Sequence, residues 1–89
     1  MFALYIIYSA ILDKYYIGYT ENIEQRIRKH NSNHKGFTGK KCDWVLKYSE
    51  TFQTKQEAMK REAQIKQWKS RIKIEEIIFR SDGSEHPDL

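Results

Sequence analysis

An α+β fold, with a three-stranded antiparallel sheet flanked by helices in the order β-β-α-β-α-α, is predicted by three observations. Residues 2–9 are almost continuously apolar, and β-branched or aromatic, the composition of a strand buried on both faces. Two more stretches, Tyr15–Tyr19 and Trp44–Phe52, read as the second and third strands. Helix-start signals stand at Asn22 and Thr54.

The elements follow in order. Ala10 to Lys14 is a short turn, so the first two strands form a hairpin. Asn22 can cap a helix, with Gln25 at the third helical position. Ile23, Arg26, Ile27 and His30 then fall at i, i+3, i+4 and i+7, one helical stripe ending near Asn31. The polar stretch Asn31 to Lys41 contains Gly36 and Gly39 and reads as a loop before the third strand. Thr54-Lys55-Gln56-Glu57 is a capping box that opens a second, longer helix. A short helix is expected over residues 70–78, ending in Ile77-Ile78-Phe79. Residues 1–80 are expected to make one domain, and the polar residues 81–89, with the only proline, a flexible tail.

The chain has 89 residues, below the roughly 100–150 of a common domain, so one modest core is expected. Six Tyr, four Phe and two Trp help fill it, because large rings bury much area per residue. No stretch approaches the roughly 18–20 apolar residues of a membrane span. The first eight residues lack a basic leader and precede a charged hairpin, so they read as a strand and not a signal peptide. The single Cys42 excludes an intrachain disulfide and suits a reducing cytoplasm. There is no cysteine pair, and the spacing of His30, His34 and His86 does not suggest zinc.

The net charge is +4, unevenly spread. Between Arg26 and Cys42 stand six cations, Arg26, Arg28, Lys29, Lys35, Lys40 and Lys41, and no acid. Such a run suits a phosphate backbone, and equally a solvated loop. Lys66, Lys69, Arg71 and Lys73 either extend that face or form the wet side of two helices.

Two charges break the apolar pattern. Arg26 lies in the stripe of Ile23 and Ile27, and Glu62 lies between Ala58 and Ile65 on the second long helix. Burying a charge costs several kcal/mol unless it is paired or binds a metal. Departures from local rules concentrate at functional sites, although mutual pairing of the two, or placement at the stripe's edge, would also explain them. Tyr5 and Tyr16 stand in the first two strands, where a hairpin could bring both hydroxyls to Arg26; the register is not fixed by the sequence. Trp44, Trp68 and Phe79 are expected in the core.

Taken together, Leu4-Tyr5, Tyr16-Ile17-Gly18, Arg26, His30 and Glu62 resemble the GIY-YIG nucleases over roughly residues 2–78. That group includes homing endonucleases, the nuclease subunit of bacterial excision repair, structure-specific resolving nucleases and some restriction enzymes. The run from Tyr15 to Asn31, Phe37-Thr38 and Arg61 to Trp68 are especially similar to the small stand-alone bacterial members. Ala3 departs from the Gly that begins the family's first motif, and Tyr19 stands where some members carry a catalytic Lys.

The resemblance implies a metal-dependent endonuclease that hydrolyses phosphodiester bonds, in DNA rather than RNA, in a setting of repair or recombination. It implies Tyr5, Tyr16, Arg26, His30 and Glu62 as the catalytic set. Glu62 would hold one Mg²⁺ or Mn²⁺, since Mg²⁺ keeps waters and often takes only one or two carboxylates. Arg26 would bind the scissile phosphate. Either Tyr5 or Tyr16 would position or deprotonate the attacking water, a role that needs positive charge nearby because free tyrosine has a pKa near ~10. His30 would orient a tyrosine, touch phosphate or be a plain helix residue. Tyr19, Arg28, Lys29, Lys35, Lys40, Lys41, Lys66 and Lys69 are the candidate nucleic-acid contacts. Specificity would come from substrate shape or from a recognition or activating protein. The alternatives are a non-catalytic nucleic-acid-binding module on the same fold, and an interaction protein acting through Ile72 to Phe79.

Overall fold

The computed structural model describes residues 1–32 and 43–83. Three strands, β1 (Phe2–Ser9), β2 (Lys14–Thr20) and β3 (Trp44–Phe52), and three helices, α1 (Ile23–His30), α2 (Lys55–Gln67) and α3 (Arg71–Gly83), follow in the order β-β-α-β-α-α. The strands form one antiparallel sheet in the order β2-β1-β3. The most apolar strand is therefore central, where helices can cover both of its faces.

Alternation along β1 divides the core in two. Leu4 and Ile6 join Ile17 and Ile65 on one face, with Trp68, Ile74 and Ile77 packed against them from α2 and α3. Tyr5 and Ile7 face the other way and join Trp44, with Ile23 and Ile27 of α1 against them. Leu4, Ile6 and Ile7 are fully buried, and each contributes about 1.5–3 kcal/mol of hydrophobic stabilisation. The result is a sheet between α1 and the α2–α3 pair.

Local chemistry sets the helix starts. The Asn22 side chain accepts from Gln25 N at 2.9 Å. At α2 the capping box forms in both directions, Glu57 N to Thr54 Oγ1 and Thr54 N to the Glu57 carboxylate. Ser70 Oγ accepts from Lys73 N and opens α3 just after Lys69, whose φ of 47° makes the reversal between the two helices. In the hairpin turn Asp13 takes a φ of 55°, a region that aspartate tolerates better than most residues. Its carboxylate meets Arg71 Nη2 at 2.6 Å, and Arg71 also holds Glu75 at 3.0 Å. The Arg71 guanidinium lies over the Tyr15 ring, so this cluster ties α3 to the hairpin.

Two expectations are corrected. The third helix does not end at residue 78 but continues to Gly83, so residues 81–83 of the expected tail are helical. No breaker interrupts the run before Gly83. Phe79 is 66% exposed and not in the core, because the apolar contacts of α3 are made by Ile74, Ile77 and Ile78. No described helix is long and apolar enough to cross a membrane.

Candidate active site

The hairpin register brings the tyrosines together. Tyr5 pairs with Gly18, and Ile7 pairs with Tyr16, so Tyr5 and Tyr16 share a face as diagonal neighbours. Their ring centroids lie 6.4 Å apart with the planes 21° from parallel. Gly18 is what lets the Tyr5 ring lie across β2. A Cβ there would stand 2.7 Å from Tyr5 Oη and 2.9 Å from Tyr5 Cζ.

His30, at the end of α1, is buried against both rings. Its Nε2 lies 3.0 Å from Tyr5 Oη in a hydrogen bond. Its ring is 4.7 Å from that of Tyr16, edge to face, and 6.2 Å from Trp44. Asn31 then fixes the end of the helix to β3, accepting from Trp44 N at 2.8 Å and donating to Trp44 O at 3.1 Å. His30 is thus held by α1, β1, β2 and β3 together.

Around the Gly18–Thr20 end of β2 opens a cleft of about 810 Å³. Tyr5, Tyr16 and Arg26 line it from β1, β2 and α1, and Lys55 and Glu62 from α2. Tyr5 itself is only 2% exposed. Burial pushes its hydroxyl well above the ordinary tyrosine range; Tyr16 adds to the rise, Arg26 opposes it and Glu62 adds again.

Arg26 is exposed at the mouth of the cleft and not buried against the sheet. At about 100° per residue, Ile23, Ile27 and His30 cluster in direction, and Arg26 falls on the far side of His30, at the rim. The stripe's edge, and not its centre, is the right description. Glu62 does not pair with Arg26 either. Its carboxylate meets Lys66 Nζ at 3.0 Å, one turn along α2, with side-chain exposures of 19% for Glu62 and 54% for Lys66.

The donor chemistry fits a hydrated divalent cation held by few protein ligands. Glu62 presents one carboxylate to an open cleft, and its partner is a long, half-exposed amine that can leave. Among the described residues there is no group of three or more His, Cys, Asp or Glu that could hold a metal. A single carboxylate on an open cleft suits a divalent cation such as Mg²⁺, which keeps several waters and takes only one or two carboxylates.

The remaining sequence candidates divide. Tyr19 lines the cleft, and Lys29 lines a recess beside it. Arg28 is exposed on α1 and Lys69 at the α2–α3 junction, neither lining the cleft. Lys35, Lys40 and Lys41 lie outside the described residues. The sequence reading missed Lys55 and Gln25, which line the cleft. Their one signal is position, Gln25 directly before Arg26 and Lys55 at the first position of a capped helix.

The family model described as the GIY-YIG catalytic domain matches residues 1–75. A UPF0213 protein of Staphylococcus haemolyticus is 44% identical over 64 residues, covering 70% of this chain and 77% of the relative. A UPF0213 protein of Bacillus pumilus is 38% identical over 74 residues, covering 78% and 74%. One of Halobacterium salinarum is 39% identical over 54 residues, covering 60% and 70%. No solved structure matches.

Proposed function

The chain belongs to the GIY-YIG catalytic-domain family, and on that premise we propose that it is a metal-dependent endonuclease acting on DNA. The observation that carries this reading is the convergence of Tyr5, Tyr16, Arg26 and Glu62, from four different elements, on one open cleft. Charged and hydroxylic groups so placed suit phosphodiester hydrolysis, where positioning and charge stabilisation do most of the work.

Arg26 binds the scissile phosphate, its fork of donors matched to two oxygens. Glu62 would hold the Mg²⁺ or Mn²⁺ ion, which would displace Lys66 from its carboxylate. When bound, the ion supplies Lewis-acid stabilisation of charge on the phosphoryl and leaving oxygens. Tyr16, half-buried and facing the cleft, orients the attacking water and, acting as the phenolate, takes its proton. Tyr5 is unsuited to that step, because burial holds its proton; it positions Tyr16 and His30 instead. Repair or recombination in the cytoplasm is the proposed setting, with recognition left to substrate shape or to a partner protein.

A second reading, a binding module without catalysis, draws on the Glu62–Lys66 ion pair, which occupies the carboxylate. A panel of labelled DNA and RNA structures, incubated with Mg²⁺, Mn²⁺ or chelator, separates the two. Metal-dependent cutting that disappears in Glu62→Ala, with binding retained, supports the nuclease. Binding without cutting, unchanged in Glu62→Ala, supports the module.

A further inference from the structure

Next to the cleft lies a smaller recess of about 240 Å³, lined by Thr20, Gln25, Arg26 and Lys29. Thr20, Gln25 and Arg26 line both spaces, so the two are adjacent. The chemistry of their walls differs. The cleft contains the carboxylates of Glu21 and Glu62; the recess contains none.

Three cations elsewhere in the molecule are tied to carboxylates. Arg61 is held by Glu50 at 3.0 Å, Arg71 by Asp13 at 2.6 Å and Lys66 by Glu62 at 3.0 Å. Arg26 and Lys29 make no ion pair among the described residues, although α1 contains Glu24. The Gln25 side-chain amide likewise has no hydrogen-bond partner among the described residues, whereas the Thr20 hydroxyl is engaged by Asn22. Arg26 and Lys29 stand three residues apart on α1, so their side chains leave one face about 5–6 Å apart. That separation is comparable with the spacing of neighbouring phosphates along one nucleic-acid strand.

From this geometry we propose that the recess is a phosphate subsite, in which Lys29 and Gln25 hold the phosphodiester next to the one bound by Arg26. This rests on the proposed reading of the cleft as the place where a strand is cut. The subsite sets the path of that strand: along α1, across Arg26 and past Glu62. It also sets a requirement, since a substrate lacking charge at that one flanking position loses a contact that every sequence otherwise supplies. Lys29 and Gln25 are positioning residues here, acting on the strand and not on the reacting atoms.

The test is binding in chelator, read by fluorescence anisotropy over a range of salt, so that no chemistry is needed. The probes are oligonucleotides with a neutral methylphosphonate replacing one phosphate at each position in turn. The proteins are wild type, Lys29→Gln, Gln25→Ala, and Lys47→Gln as a cation on β3 that lines neither space. Expected is about tenfold weaker binding for Lys29→Gln and a salt slope shallower by about one. One methylphosphonate position should weaken wild type by a similar factor and have no further effect in Lys29→Gln. Gln25→Ala should weaken binding less, at the same position. Additive losses at every position, an effect of Lys29→Gln equal to that of Lys47→Gln, or no binding by wild type would each overturn the subsite. Failure of the nuclease reading would show separately, as cutting that is absent or indifferent to Glu62 while the position-specific binding persists.

Discussion

Gly18 and Tyr5 are matched: the tyrosine ring occupies the space a side chain at position 18 would need, and an added Cβ would lie 2.7 Å from its hydroxyl oxygen. The ring cannot retreat freely, because its hydroxyl is bonded to His30 and it is only 2% exposed. Gly18→Ala should therefore destabilise the fold by about 1–3 kcal/mol, the usual cost of overpacking. Denaturant unfolding checks this, and an unchanged midpoint would mean that the ring has room to move.

The two cleft tyrosines should separate by function. Tyr16→Phe is expected to lower kcat by ~10²–10⁴, the common range for loss of a general base. Tyr5→Phe should cost about 1 kcal/mol of stability through the lost hydrogen bond to His30 and keep more of the activity. Single-turnover cleavage with parallel unfolding curves measures both. The reverse order of activity would assign the base to Tyr5.

Asn31 should matter to the fold well beyond its place at a helix end. Its side chain satisfies both the N–H and the C=O of Trp44, and so joins α1 to the start of β3. Asn31→Ala leaves both groups without that partner and is expected to cost about 1–3 kcal/mol. Thermal unfolding is the check, with Asn31→Asp as the variant that restores only the acceptor.

Asp13 gives a signature in acid. The Arg71 guanidinium, with help from the Tyr8 hydroxyl, holds its carboxyl down at about 2. A carboxylate with a depressed folded-state pKa stabilises the fold above its ordinary value near ~3.9, and loses that contribution as pH falls through the folded value. The melting temperature of Asp13→Asn should thus lie below wild type at pH 6 and converge with it between about pH 4 and 2. A difference that stays constant over that window would show that the charge is not the cause.

Much of this organisation was legible from residue order. The apolar run of residues 2–9 became the central strand, and Thr54 and Glu57 formed the box their spacing implies. Glu62 was visible as a carboxylate between Ala58 and Ile65, which are both fully buried. Arg26 was visible too, but its position at the rim depends on where an eight-residue helix meets the sheet, which no helical wheel contains. The Tyr5–Tyr16 pairing depends on hairpin register, set by the left-handed Asp13 and the Ser9 and Asp43 hydrogen bonds around the turn. Lys55 and Gln25 had no local mark, because nothing within a few residues distinguishes a cleft-lining polar side chain from a solvated one.

Glu62 is where the functional reading is most exposed. Glu62→Gln keeps the shape of the side chain and removes its charge, so folding should persist while metal-supported catalysis does not. The decisive measurement is the single-turnover cleavage rate of wild type and Glu62→Gln on the best DNA substrate, in Mg²⁺, Mn²⁺ and chelator, with matched unfolding curves. Expected is cutting by wild type that requires the metal and falls by at least ~10² in the variant, with unfolding midpoints alike. Equal rates for the two proteins, or wild-type cutting that survives chelation, would contradict a metal-dependent nuclease centred on Glu62.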